Sequence, residues 1–214
     1  MTRQSFSVPR GLYAILDESL VTDGNWGGMA RKLLAGGARV IQLRAKSLPA
    51  GDMLQAAKKV AAECKVYGAI FIVNDRADVA LLSGADGVHV GQDDIPVRAC
   101  RKVLGPKALI GVSTNSIEEA IEAVKAEPDY IGYGPIFTTE SKQTSGNPRG
   151  VESLAEVVKA VAIPVVAIGG IMPDNVASVK KAGAHAAAVI TALALHGDIE
   201  KGAREIIRVW EALK

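Results

Sequence analysis

Gln42, Arg44 and Lys46 stand two residues apart at the end of the run Arg39-Val-Ile-Gln-Leu-Arg-Ala-Lys46. Alternate side chains of a β-strand share a face, so this spacing aims an amide, a guanidinium and an ammonium at one place. Ile41, Leu43 and Ala45 between them are apolar and point the other way, as in a strand covered by a helix. Two cations in such a setting call for an anion, and a forked guanidinium beside an ammonium suits a phosphate or diphosphate. The plainer alternative is a strand edge whose charges simply reach water.

Other residues able to do chemistry recur along the chain, each just after a short β-rich run. Asn74-Asp75 follows Ala69–Val73, and Gly91-Gln-Asp-Asp94 follows Gly87–Val90. Asp75 and Asp94 would terminate neighbouring strands, so their carboxylates can approach each other. Beside Arg44 and Lys46 they would form either an ion-pair network or a Mg²⁺ site, since Mg²⁺ takes one or two protein carboxylates and completes its shell with water and substrate phosphate. Alone, Asp75 could instead cap a helix starting at Ala77. Ser113 ends a fifth run. Gly169-Gly170 and Ile190-Thr191 end the last two, where bare backbone N–H groups can approach phosphate oxygens. The stretch from Phe137 to Gly150, rich in Thr, Ser, Gly and Lys and containing Thr139, Ser141 and Lys142, reads as a lid or as a disordered surface loop. The histidines carry less: His89 reads as a packed or hydrogen-bonded strand residue, His185 lies at the opposite rim, and His196 falls in a late loop. No activated nucleophile and no glycine-rich nucleotide loop is present.

The elements that must position these residues alternate regularly. Short strands are expected at Leu12–Leu16, Val40–Leu43, Ile70–Val73, Gly87–Val90, Ala108–Val112, Tyr130–Tyr133, Val165–Ile168 and Ala187–Ile190. Helices are expected at Trp26–Ala35, Ala50–Tyr67, Ala77–Leu82, Pro96–Leu104, Ile117–Ala126, Val151–Ala160, Pro173–Lys181 and Ile199–Leu213. The joints Ala35-Gly-Gly-Ala38, Leu82-Ser-Gly-Ala85 and Lys181-Ala-Gly-Ala184 place glycine where a helix ends in a left-handed turn. Eight βα units in 214 residues predict a (β/α)8 TIM barrel forming a single domain over 1–214, with an open doubly wound sheet as the structural alternative. A barrel places its chemistry at the C-terminal ends of the strands, and that is where the polar residues above fall.

Composition excludes other classes. Aromatics are only 4% of the chain, too few for a base-stacking surface, and a net charge of +2 with interspersed signs gives no basic stripe. Nucleic acid is therefore not an expected partner. The longest apolar stretch, Val161–Met172, is broken by Pro164 and Gly169-Gly170, and no apolar leader precedes Gly11, so a cytoplasmic protein without a membrane span is expected. Cys64 and Cys100 lack metal-ligand spacing and read as small buried thiols. Oligomeric state is left open, a homo-oligomer included.

Taken together, Gln42-x-Arg44-x-Lys46, Val73-Asn-Asp75, His89-Val-Gly-Gln-Asp-Asp94, Gly111-Val-Ser113, Gly134-Pro-Ile-Phe-Thr-Thr-Glu-Ser-Lys142, Ile168-Gly-Gly-Ile171 and Ile190-Thr191 resemble the thiamine-phosphate synthase family, in order from the second strand to the eighth. The resemblance implies condensation of hydroxymethylpyrimidine diphosphate with a thiazole phosphate, giving thiamine phosphate and diphosphate. It implies that Gln42, Arg44, Lys46, Asn74, Ser113 and Lys142 hold the pyrimidine diphosphate, with Arg44, Lys46, Ser113 and Lys142 serving catalysis. Asp75 and Asp94 would bind the cofactor Mg²⁺. Thr139, Ser141, Gly170, Ile190 and Thr191 would hold the thiazole phosphate. The sequence departs from the family where Thr138 replaces a usual Pro, Ser141 a Thr, Thr191 a Ser, Asn115 a common His and Gln143 a common Lys. The rival assignments are a thiazole tautomerase, which would need the His that Asn115 replaces, another phosphate-binding barrel, and a non-catalytic barrel that binds a thiamine precursor.

Overall fold

The computed structural model describes residues 8–139 and 147–212. Eight strands, β1 (Gly11–Asp17), β2 (Val40–Arg44), β3 (Ile70–Asn74), β4 (Gly87–Val90), β5 (Leu109–Thr114), β6 (Tyr130–Tyr133), β7 (Val165–Ile168) and β8 (Ala186–Val189), pair in chain order. All pairings are parallel, and β8 returns to β1, which closes the barrel. The helices α1 (Trp26–Ala35), α2 (Ala50–Tyr67), α3 (Ala77–Ser83), α4 (Val97–Leu104), α5 (Ile117–Val124), α6 (Gly150–Ala160), α7 (Val176–Lys181) and α8 (Ile199–Glu211) follow the strands in turn.

Period-two alternation sorts the strands into two cores. Leu12, Ala14, Leu16, Ile41, Leu43, Phe71, Val73, Val88, Val90, Ile110, Ile131 and Ala187 face outward and pack with helix residues such as Leu33, Val60, Val79, Leu154 and Ile206. Tyr13, Ile15, Val40, Ile72, Leu109, Tyr130, Val166, Ala186 and Ala188 face inward, and Val8 joins them. The expected outward placement of Ile41, Leu43 and Ala45 holds, with exposures of 0, 0 and 3%.

Helix ends follow local chemistry. Asn25 caps α1 by accepting from Gly28 N, Ser116 caps α5 by accepting from Glu119 N, and Asp198 caps α8 through Glu200 N. Gly84 closes α3 at φ +74°, while Gly37 and Gly183 take φ +102° and +95° just beyond α1 and α7, as the sequence joints require.

Several boundaries differ from expectation. β5 runs on through Ser113 and Thr114, because Thr114 Oγ1 donates to Gly132 O while the ladder with β6 continues. β1 extends to Asp17, where β2 still offers Arg44 as its register partner. α7 begins at Val176, since Asn175 folds back to accept from Met172 N and donate to Gly170 O. Pro96 occupies the cap position before α4 and not its first turn. Cys64 and Cys100 are both buried and unlinked, and burial pushes the Cys64 thiol up to about 12. Among the described residues no helix is long and apolar enough to cross a membrane.

Candidate active site

The inward-facing residues change character along the barrel axis. Toward the N-terminal ends the interior is aliphatic. Toward the C-terminal ends Asp17, Gln42, Arg44, Asn74, His89 and Ser113 replace the aliphatic side chains, and Asp17, Gln42 and Asn74 are buried there. Most of this polarity is paired, as burial demands.

Arg44 ends β2 beside Asp17 of β1, its register partner, and Nη1 donates to Asp17 Oδ2. The two side chains are only 14% and 8% exposed. Ser19 N and Oγ donate to Asp17 Oδ1 at 3.0 and 2.7 Å. Burial works to raise the Asp17 carboxyl, but the Ser19 hydrogen bonds and Arg44 outweigh it and hold it below the ordinary carboxylate range. Arg44 Nε is buried with no hydrogen-bond partner among the described residues.

Lys46, two residues past β2's end, lies 3.2 Å from Asp75 Oδ2 and is 54% exposed. Asp75 follows β3 in the left-handed region at φ +63°, its backbone N–H donating to His89 O. It is not a helix cap, for α3 is preceded by Arg76 without any side-chain cap. Its carboxyl is pushed up, first by burial and then by a hydrogen bond to Asp94 and that residue's charge, with Lys46 opposing. Asp94 meanwhile accepts from Gly91 N at 2.8 Å. The expected approach of the two carboxylates is thus present, with one ammonium against them.

Gln42 and Ser113 sit at opposite ends of a chain of hydrogen bonds, buried from Gln42 to Tyr130 and part-buried from there to Ser113. Gln42 Nε2 donates to Tyr13 Oη (3.0 Å), which meets Tyr130 Oη (2.8 Å). Tyr130 Oη meets His89 Nδ1 (3.1 Å), and His89 Nε2 meets Ser113 Oγ (2.9 Å). His89 is therefore a hydrogen-bonded barrel residue, as its position in the strand suggested. The two tyrosines pack with ring centroids 5.9 Å apart, and His89 lies 5.4 Å from Tyr130. Gly111 makes this possible: a Cβ there would run into Tyr130 Cζ and come within 2.5 Å of His89 Nδ1.

Beside this polar floor opens a cleft of about 680 Å³, counted to its mouth, lined by Ser113, Asn115, Thr139, Gly170, Ile190 and Thr191 among others. Gly170 takes φ +62°, and a Cβ there would come within 2.8 Å of Phe137 Cβ and against Thr138 O. A smaller cavity lined by Gln42, Arg44, Asn74, His89 and Ser113 shares Ser113, Ile168 and Ile190 with it. The two expected ligand regions therefore adjoin across Ser113. Ser141 and Lys142, and the centre of the expected lid, lie outside the described residues.

Two groups escaped the sequence reading. Asp17 stands at a strand end like the others, and only the expected stop of β1 at Leu16 hid it. Tyr13 and Tyr130 look like ordinary strand aromatics, and nothing local marks them as hydrogen-bonding partners.

A family model described as thiamine monophosphate synthase matches residues 12–193. The chain is 49% identical over 183 residues to the thiamine-phosphate synthase of Anaeromyxobacter dehalogenans (strain 2CP-C), covering 86% of this chain and 82% of that protein. It is 43% identical over 204 residues to that of Myxococcus xanthus (strain DK1622), covering 95% and 94%. The solved thiamine phosphate pyrophosphorylase from Pyrococcus furiosus superposes with a TM-score of 0.85 at 39% identity, covering 94% of this chain and 96% of that one.

Proposed function

The chain belongs to the thiamine monophosphate synthase family, and from that premise we propose that its barrel mouth condenses hydroxymethylpyrimidine diphosphate with hydroxyethylthiazole phosphate, forming thiamine phosphate and diphosphate. One observation carries the site assignment: the cations Arg44 and Lys46 and the crowded carboxylates Asp75 and Asp94 gather at one end of the barrel, against a cleft that ends in Gly170 and Thr191.

Breaking the pyrimidine–diphosphate bond places developing negative charge on the leaving oxygens. Arg44 and Lys46 meet that charge in a partly dry setting, where electrostatic stabilisation is large. Lys142 joins them in this reading. Departure leaves a pyrimidine methylene cation, which the electron-rich aminopyrimidine ring makes tolerable, and the thiazole nitrogen then attacks that carbon. The protein contributes no nucleophile. Gln42, Asn74 and Ser113 orient the ring, while Thr139, Ser141, Gly170, Ile190 and Thr191 hold the thiazole phosphate so that its nitrogen faces the methylene carbon. The apolar lining from Ile168, Ile190 and Ala188 excludes water that would trap the cation.

Mg²⁺ fits the donor set. Asp75 and Asp94 would hold it: two carboxylates close enough to hydrogen bond, with Asp75 pushed up by burial and by Asp94 beside it, are a hard oxygen pair short of positive charge. Bound there, it would neutralise charge on the departing diphosphate. Asn115 lines the cleft where a tautomerase would need His, which counts against that rival.

The test is direct. Purified protein given both substrates and Mg²⁺ should release diphosphate and form thiamine phosphate, with the rate falling away when the metal is chelated. Absence of product with metal present would sink the assignment, whereas undiminished turnover in chelator would sink only the metal.

A further inference from the structure

The hydrogen-bond chain from Gln42 to Ser113 crosses the barrel interior through β2, β1, β6, β4 and β5. Its hydrogens can be counted. Each tyrosine has a single O–H to donate, and a neutral imidazole has one N–H. Gln42 Nε2 donates to Tyr13, so the Tyr13 hydrogen goes to Tyr130 and the Tyr130 hydrogen to His89 Nδ1. The imidazole must then carry its hydrogen on Nε2 and donate to Ser113 Oγ. Ser113 receives a hydrogen and keeps its own for a ligand. At the other end, Gln42 has committed its amide N–H inward, and Oε1 remains to accept. Burial of both phenols raises them far above their ordinary range, so neither supplies an oxyanion that would break the sequence.

The direction of every link therefore depends on every other. The opposite polarity also satisfies each group, but only if the whole chain turns at once: Gln42 flips its amide, both tyrosines rotate their hydroxyls, His89 exchanges tautomer, and Ser113 turns its hydrogen inward. A partial reversal leaves two donors or two lone pairs face to face inside the barrel, which costs far more than a normal hydrogen bond yields.

We propose that Tyr13, Tyr130 and His89 are positioning residues that couple the hydrogen-bond polarity of Gln42 to that of Ser113, so that the site always presents one acceptor and one donor and selects an aminopyrimidine over its oxo counterpart. This rests on the assignment of the pyrimidine to Gln42 and Ser113. An exocyclic amine donates to Gln42 Oε1, and the nitrogen across the ring from it, which keeps its lone pair in the lactam form of an oxo analogue as well, accepts from Ser113 Oγ. An oxo analogue, with a carbonyl in place of the amine, faces Gln42 Oε1 lone pair to lone pair. Flipping Gln42 to accommodate it would reverse the chain and remove the donor at Ser113. Selectivity is thus built into residues that line the site from beneath, and Gly111 supplies the space in which Tyr130 and His89 meet.

Tyr130→Phe tests this, because it cuts the chain in the middle while Gln42 keeps Tyr13 and Ser113 keeps His89. Each half then reorients on its own. We expect the ratio of kcat/KM for the aminopyrimidine diphosphate over the oxo analogue to fall roughly tenfold or more in Tyr130→Phe and in Tyr13→Phe, with KM for the thiazole phosphate unchanged. A purely structural role would lower activity toward both pyrimidines together and leave the ratio alone, and an unchanged ratio in both variants overturns the proposal. Nitrogen NMR of wild-type protein gives an independent reading that needs no variant to fold: the His89 hydrogen should sit on Nε2, and a hydrogen on Nδ1 alone overturns the assigned polarity. Wild-type protein that binds neither pyrimidine in calorimetry would sink the functional assignment instead. Protein that condenses the substrates while its tyrosine variants keep full selectivity would sink only the relay.

Discussion

Replacing Asp17 with Asn removes the charge that holds Arg44 while keeping the shape of the side chain. In the wild type, Oδ1 accepts from both Ser19 groups and Oδ2 from Arg44 Nη1. The amide can keep the Ser19 bonds through its oxygen, but its NH₂ then faces a guanidinium donor. Arg44 Nε already lacks a partner among the described residues, so the variant leaves a largely buried cation with two unsatisfied N–H directions. Breaking a fully buried pair costs about 3–5 kcal/mol. Exposures of 14% and 8%, at the barrel's open end, argue for somewhat less, about 2–3 kcal/mol. At roughly 2–4 °C per kcal/mol for a chain of this size, Tm should fall by about 5–10 °C.

The same geometry predicts how the loss is recovered. Inorganic diphosphate with Mg²⁺ supplies the missing anion, and the carboxylate that competes for Arg44 in the wild type is gone. Added diphosphate should therefore raise the Tm of Asp17→Asn by several degrees more than it raises that of wild type, since ligand stabilisation grows with affinity. Thermal melts of both proteins, with and without diphosphate, read the effect. A fall of less than about 2 °C, or an equal ligand increment in both proteins, would refute the placement of Arg44 between Asp17 and the diphosphate.

Other perturbations separate the remaining parts of the site. Asp75→Asn and Asp94→Asn should each raise the Mg²⁺ concentration for half-maximal turnover by about tenfold or more, because each removes one of the two proposed carboxylate donors; variants that titrate like wild type would show that the metal site is misplaced. Gly111→Ala forces a methyl into Tyr130 and His89, whereas a Cβ at Gly132 meets His89 Cε1 at 3.1 Å, so Gly111→Ala should lose about 1–3 kcal/mol by denaturant titration and Gly132→Ala clearly less. Acid should destabilise the fold in two windows. Burial lowers His185, whose Nε2 donates to Val8 O at 2.6 Å, so the unfolded chain takes up its proton first and stability falls as pH drops below the ordinary histidine range. Asp17, also lowered in the fold, contributes stability above the ordinary carboxylate range that is lost as pH falls through its depressed value. Denaturant midpoints measured against pH should show the upper window flattened in His185→Gln, and an unaltered profile would refute the histidine contribution.

The eight βα units, the outward packing of Ile41, Leu43 and Ala45, and the gathering of Arg44, Lys46, Asp75 and Asp94 at one rim were all legible in the chain. Strand periodicity is local: a residue's neighbours decide which face it takes, and a strand's last residues must emerge at the barrel's C-terminal end. Glycine joints are legible for the same reason, since a left-handed helix end needs only its own backbone. Boundaries were less so. Thr114 stays in β5 because of a hydrogen bond to Gly132, and Asp17 belongs to β1 because Arg44 lies beside it.

What the sequence determined by itself is therefore which residues face inward and at which end. What only the tertiary structure decided is which of them meet. Asp17 and Arg44 are 27 positions apart, His89 and Tyr130 41, and Tyr13 and Tyr130 117. Their meeting depends on the register of each strand against the next and on closure of β8 onto β1. Register is set by the summed packing of whole strands and helices, so no short segment carries it. A tyrosine that reads as core in its own strand becomes part of a polar relay only when the closed barrel presents it with another hydroxyl.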